Sequence, residues 1–157
     1  MKRKLDINNK IKGDLGELLF KHVCNKFDYW YVKTEQIYKN LAPEGNLEFS
    51  KGLERKLVHI PEQHQEELRF VSSIDNPRTN FKTYIYDYLT YKQTSEYSHD
   101  SKKFEDKDNF YWVEIKFGNG QLRKNQKELI DKLELPVMVY NFKCDLPDKF
   151  TFEKVDV

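Results

Sequence analysis

Glu114 and Lys116 sit two residues apart inside the hydrophobic run Phe110–Phe117, FYWVEIKF. Side chains alternate faces along a strand. Phe110, Trp112, Glu114 and Lys116 therefore share one face, and Tyr111, Val113, Ile115 and Phe117 the other. A carboxylate held beside an ammonium on a rigid strand has a specific chemistry open to it. The carboxylate can hold a hard divalent cation through oxygen. The ammonium can orient or help deprotonate a water, or neutralise charge on a phosphate. One carboxylate makes a poor magnesium site, so a second must come from a neighbouring element. Asp87 in YIYDYLT is the best candidate, because its aromatic and apolar neighbours otherwise discourage an acid. If that segment pairs with 110–117, Asp87 approaches Glu114, and a cation between them would activate water against a phosphodiester. The plainer alternative is two solvent-facing strand charges paired with each other, and an acid that guards a sheet edge.

The elements that must bring these residues together are legible in outline. INNKIKGDLGELLFKHVCNKF has helical spacing, with Ile11, Leu15, Leu18, Leu19, His22 and Val23 as its expected buried stripe. Gly13 and Gly16 weaken that helix unless something packs closely against it. YWYVKTEQIY reads as a strand, and APEG and FSKG as turns. PEQHQEELRF reads as a short helix with Pro61 in its first turn. FKTYIYDYLTYKQT and NFYWVEIKF are the two strongest strands, expected as a hairpin joined by the polar loop SHDSKKFEDKDN. LRKNQKELIDKL is a helix with Leu122, Gln126, Leu129 and Leu133 on one face, PVMVYNF a further strand, and the tail adds one more. The expectation is a single α/β domain over residues 1–157, a mixed sheet with helices against it, and an insert around 40–80 that the pattern does not assign.

Charge is balanced overall, with 27 basic and 26 acidic residues and a net charge of +1. That excludes a general polyanion sponge, and any basic surface must be local. Residues 1–12 carry five basic residues and one acid, and Arg123, Lys124 and Lys127 cluster on the helix after Lys116. These three suit backbone-phosphate contacts better than base reading. Cys24 and Cys144 are too few for a disulfide scaffold or a thiolate zinc site. Free thiols in an intracellular, cytoplasmic protein are expected. No run approaches the length of a membrane span. The four histidines show no metal spacing, and GNG at 118–120 is a turn rather than a nucleotide-binding loop.

With these residues in order, the chain resembles the PD-(D/E)xK nuclease superfamily, which includes restriction endonucleases, archaeal Holliday-junction resolvases and the VRR-NUC nucleases. Its pattern is an acid in one strand followed, after a variable connection, by E-x-K in the next. Here these fall on Asp87 and on Glu114-Ile115-Lys116. Many members place a glutamate in the first helix, where GDLGE offers Glu17, and several branches a glutamine after E-x-K, where LRKNQKEL offers Gln126. The chain departs from the pattern in carrying Tyr86 rather than proline before the acid, and Asp75 in SSIDNP is a rival for the acidic position. The resemblance implies a restriction-endonuclease-like fold and a Mg²⁺- or Mn²⁺-dependent nuclease. Asp87, Glu114 and Glu17 would be its ligands, with Lys116 and Gln126 completing the site. DNA is the implied substrate, RNA the alternative, and a homodimer would serve to cut both strands. A non-cutting nucleic-acid-binding protein of the same fold is the main rival.

Overall fold

Aromatic and β-branched residues with period-two alternation set the centre of the molecule as a sheet. The structure is a computed structural model that describes residues 2–73 and 85–156. Asp75 lies outside the described residues. In chain order the elements are β1 (Lys2–Asp6), α1 (Asn9–Phe27), β2 (Trp30–Lys33), α2 (Thr34–Asn40), β3 (Asn46–Lys51) and β4 (Glu54–His59). They continue with α3 (Glu62–Ser72), β5 (Tyr88–Ser98), β6 (Lys103–Phe117), α4 (Lys124–Ile130), β7 (Val137–Phe142) and β8 (Lys149–Glu153). Six strands form one sheet in the order β4-β3-β2-β5-β6-β7. All its neighbours are antiparallel except β6 and β7, which run parallel. A parallel pair needs a crossover, and α4 lies in that connection. The architecture is the expected mixed α/β sheet flanked by helices.

Two apolar clusters lie on opposite faces of the sheet. The larger buries Phe49, Tyr86, Leu89, Phe110 and Trp112 among residues of α2, α3 and α4. The smaller, beneath α1, is Phe20, Cys24, Tyr31, Tyr88 and Val113. Trp112 and Val113 thus face opposite ways, and the alternation expected along 110–117 holds.

Several local expectations are corrected. The buried stripe of α1 is Gly16, Phe20 and Cys24, while Leu18 and His22 are exposed. A glycine and an aromatic let α1 approach more closely than a leucine stripe would. A Cβ on Gly16 would stand 3.1 Å from Ile115 Cγ2, and the Phe20 ring lies 5.0 Å from Tyr88 and 5.3 Å from Tyr140. The strand expected over YWYVKTEQIY stops at Lys33 and turns into α2, where Thr34 and Ile37 are buried; burial overrides strand propensity there. The polar stretch expected as a surface loop between β5 and β6 is mostly strand. The hairpin keeps its register out to Ser98↔Lys103, far beyond the main sheet. The tail does add a strand, but β8 pairs with β1 in a separate two-stranded ribbon. Within the unassigned insert, β3 and β4 extend the sheet and α3 covers it. The α3 helix begins after Pro61, which supplies its N-cap.

Candidate active site

The β5–β6 register is what brings the predicted acids together. Tyr88 pairs with Val113, and the next position outward sets Asp87 opposite Glu114. Asp87 itself lies in the bend immediately before β5 rather than inside the strand, which corrects the sequence expectation. Its N–H donates to Val113 O at 2.9 Å, and its carbonyl accepts from Thr34 N at 3.1 Å. The Ile115 N–H, free at this end of the β5–β6 ladder, donates to Asp87 Oδ2 at 2.7 Å. A side-chain carboxylate thus takes the place of a strand partner and is fixed by it.

Glu114 is 5% exposed. A carboxylate that deep requires a counter-charge, and Lys116 Nζ lies 3.1 Å from Glu114 Oε1. The aliphatic stem of Lys116 packs against Gly120, where a Cβ would come within 3.2 Å of it. The GNG turn therefore positions the lysine, and Gly118 takes the left-handed conformation, φ +74°, that the turn needs. Asp87 is pushed up to about 6, first by burial, then by repulsion from the Glu114 carboxylate. The Ile115 hydrogen bond and the Lys116 charge offset part of this. Two acids forced together by the fold, one holding its proton more tightly than usual, form an electrostatic arrangement that a cation relieves.

Asp87 opens on a cavity of about 310 Å³ between the first turns of α1 and the end of β6, while Glu114, buried, is not among its lining residues. Asp87, Lys116, Ile115 and Phe117 line one side, and Lys10, Lys12, Asp14, Gly16 and Glu17 the other. The structure brings Asp87, Glu114 and Lys116 together, and it brings Glu17 to the same cavity as Asp87 and Lys116. Among the described residues, no group of three or more histidine, cysteine, aspartate or glutamate side chains is already gathered to hold a metal. Asp87 and Glu114 are the two neighbouring carboxylates that could hold a hard divalent cation through oxygen.

Gln126 lies elsewhere. It is fully buried, and its amide is committed to backbone. Nε2 donates to Ile85 O at 2.6 Å, and Oε1 accepts from Arg123 N at 2.8 Å. The second bond caps the start of α4; the first anchors the chain two residues before Asp87. Tyr86 reinforces this by donating to Gln126 O at 2.8 Å. Gln126 thus positions the backbone beneath the acids and does not line the cavity. Arg123, the residue before α4, and Lys124 and Lys127 on it are exposed and also do not line it; Lys124 reaches Glu128 at 3.8 Å.

Lys10 and Lys12 line the cavity without having been singled out in the sequence. The signal was the basic count of residues 1–12, and what it lacked was the approach of α1 to β6. Glu67 was also missed. It accepts from Trp112 Nε1 at 3.1 Å and from Leu135 N at 3.2 Å, tying α3 to the strand that carries Glu114. Both cysteines are free, and burial pushes the Cys24 thiol up to about 12. Among the described residues no helix is long and apolar enough to cross a membrane. Comparison with known proteins finds no matching family model, no matching curated protein and no matching solved structure.

Proposed function

We propose that this chain is a metal-dependent nuclease of the PD-(D/E)xK superfamily that hydrolyses phosphodiester bonds, in DNA before RNA. The observation that carries the reading is the juxtaposition of half-buried Asp87 and buried Glu114, contributed by neighbouring segments of one hairpin, with Lys116 Nζ 3.1 Å from Glu114 Oε1. A structural ion pair needs one acid for one lysine. A second, mutually repelling carboxylate costs stability and calls for another explanation.

Asp87 and Glu114 would hold Mg²⁺ or Mn²⁺, which when bound would polarise the phosphoryl oxygens and lower the pKa of a coordinated water. Asp87 keeps Oδ2 on the Ile115 N–H, so its orientation is set before any ligand arrives. Lys116 would turn from Glu114 toward the scissile phosphate, where it offsets charge developing in the transition state. Glu17, on the opposite wall, would accept a hydrogen bond from the attacking water. Lys10 and Lys12 would meet the phosphate backbone at the mouth. Gln126 acts through the segment 85–87, and Arg123, Lys124 and Lys127 extend the basic surface outside the cavity. A homodimer would present two such sites to a duplex.

The test is cleavage of labelled linear, circular and branched DNA and of RNA, with and without Mg²⁺ or Mn²⁺. Glu114→Ala serves as the guard against a contaminating nuclease. Cleavage that requires the metal and vanishes in Glu114→Ala is expected. Binding without scission in every metal would favour a non-cutting nucleic-acid-binding protein instead.

A further inference from the structure

A second cavity, of about 290 Å³, lies on the same face of the sheet as α1. Its floor follows from strand register. Arg55 pairs with Ser50, Ser50 with Tyr31, and Lys33 with Tyr88, so these side chains stand side by side across four strands. Lys21 of α1 closes it from above, and all six of these residues line it. Three cations around one polar cavity repel each other unless an anion sits among them.

The counter-charges in place are weak. Lys33 meets Glu35 at 3.9 Å and Arg55 meets Glu48 at 3.9 Å, both pairs open to solvent. Such pairs contribute little and exchange readily for a better anion. Among the described residues no carboxylate lies within ion-pair distance of Lys21. A separate observation also points to a ligand. Tyr88 is fully buried, and its hydroxyl meets no partner at hydrogen-bonding geometry, although the Glu17 carboxylate lies close enough to act on it. A buried hydroxyl left unpaired is uncommon and costly.

The position relative to the proposed active site is set by the chain. Lys21 is one helical turn beyond Glu17 on α1, and Tyr88 directly follows Asp87. One turn of helix is about 5.4 Å, and a nucleic-acid strand rises about 3.4 Å per nucleotide. We infer that Lys21, Lys33, Arg55 and the Tyr88 hydroxyl form a phosphate subsite that grips the substrate backbone one or two nucleotides from the bond that is cut. This rests on the nuclease reading and adds to it the path of the substrate, along α1 toward β4 rather than across α4. A free nucleotide offers the same phosphate chemistry, and the experiment separates the two sources.

The test measures binding of labelled single-stranded and duplex DNA in EDTA over a salt series, with a mononucleotide as competitor, and metal-dependent cleavage in parallel. Wild type is compared with Lys21→Ala/Arg55→Ala and with Tyr88→Phe, and circular dichroism checks that all are folded. The double variant is expected to bind DNA about tenfold or more weakly, and its salt slope to shrink by about two, one for each phosphate contact removed. Tyr88→Phe is expected to stay folded and to bind several-fold more weakly, because the phosphate loses one donor. Unchanged affinity and slope in the double variant overturn the subsite, as does weakened mononucleotide binding with DNA binding intact. If wild type cuts while the double variant binds and cuts as wild type does, the subsite fails and the nuclease reading stands. If wild type neither binds nor cuts any polynucleotide, both fail.

Discussion

The Asp87 carboxylate accepts a 2.7 Å hydrogen bond from the Ile115 N–H, the peptide between the two charged residues of the Glu-x-Lys triplet. One bond therefore locks the acid from the segment before β5 onto the strand that carries Glu114 and Lys116. Without it the end of β6 would expose an unpaired donor and Asp87 would be free to turn away.

The first consequence is a pH dependence of stability. Asp87 has its folded value raised to about 6 from an ordinary 3.8, so between those values the native state binds a proton that the unfolded chain does not. Stability contributed by this group is full below about pH 4 and is lost as pH rises toward about 6. At 1.36 kcal/mol per pH unit the loss is at most about 3 kcal/mol. Asp87→Asn, which can keep the Ile115 bond and donate to Glu114, is expected to be more stable than wild type at pH 7 by about 1–3 kcal/mol and nearly equal to it at pH 4. Urea unfolding at both values checks this. An Asn variant less stable at pH 7 would show that the acid is satisfied as it stands.

Lys116 separates charge compensation from chemistry. Lys116→Ala leaves Glu114 buried beside Asp87 with no counter-ion, and the variant is expected to lose about 2–4 kcal/mol at neutral pH in the absence of divalent cation. Added Mg²⁺ should restore part of this stability, while cleavage stays reduced by about 100-fold or more. Wild-type cleavage in this variant would leave the lysine a purely structural role. Unfolding titrations with and without Mg²⁺, read beside the cleavage rate, decide the matter.

Gln126 offers a contrasting case. Its amide is spent on Ile85 and Arg123, so Gln126→Leu should strand a buried carbonyl and lose the α4 cap. A cost of about 2–4 kcal/mol is expected, with a cleavage defect that tracks the loss of structure around Asp87. Full stability with abolished cleavage would instead mean that the amide touches substrate. Thermal unfolding and cleavage of the same preparation distinguish the two.

The parts of this fold legible in the sequence are those set by local pattern. Alternation along FYWVEIKF placed Glu114 and Lys116 on one face, and the aromatic run before it supplied the hairpin partner. The Leu122, Gln126 and Leu129 face of α4 was equally visible. What was not legible depends on contacts between distant segments. The leucines of α1 outnumber its one buried phenylalanine, yet Gly16 beside Ile115 and Phe20 among the tyrosines decide which face is buried. Thr34–Asn40 has a mixed composition, and burial of Ile37 makes it a helix. The cavity residues Lys10 and Lys12 become neighbours of Asp87 only once α1 packs on β6, which no local spacing encodes. The same is true of the row Arg55, Ser50, Tyr31, which needs the β2–β3 and β3–β4 registers together.

The central claim is that Asp87 and Glu114 jointly hold a divalent cation. The most direct measurement is a Mn²⁺ titration followed by electron paramagnetic resonance at pH 7.5, a nominal value well above the raised Asp87 pKa. Wild type, Asp87→Asn and Glu114→Gln are compared, each verified as folded. The account predicts saturable Mn²⁺ binding to wild type that is lost or weakened at least tenfold in both variants. Equal Mn²⁺ binding by all three proteins, or none by wild type, would contradict it.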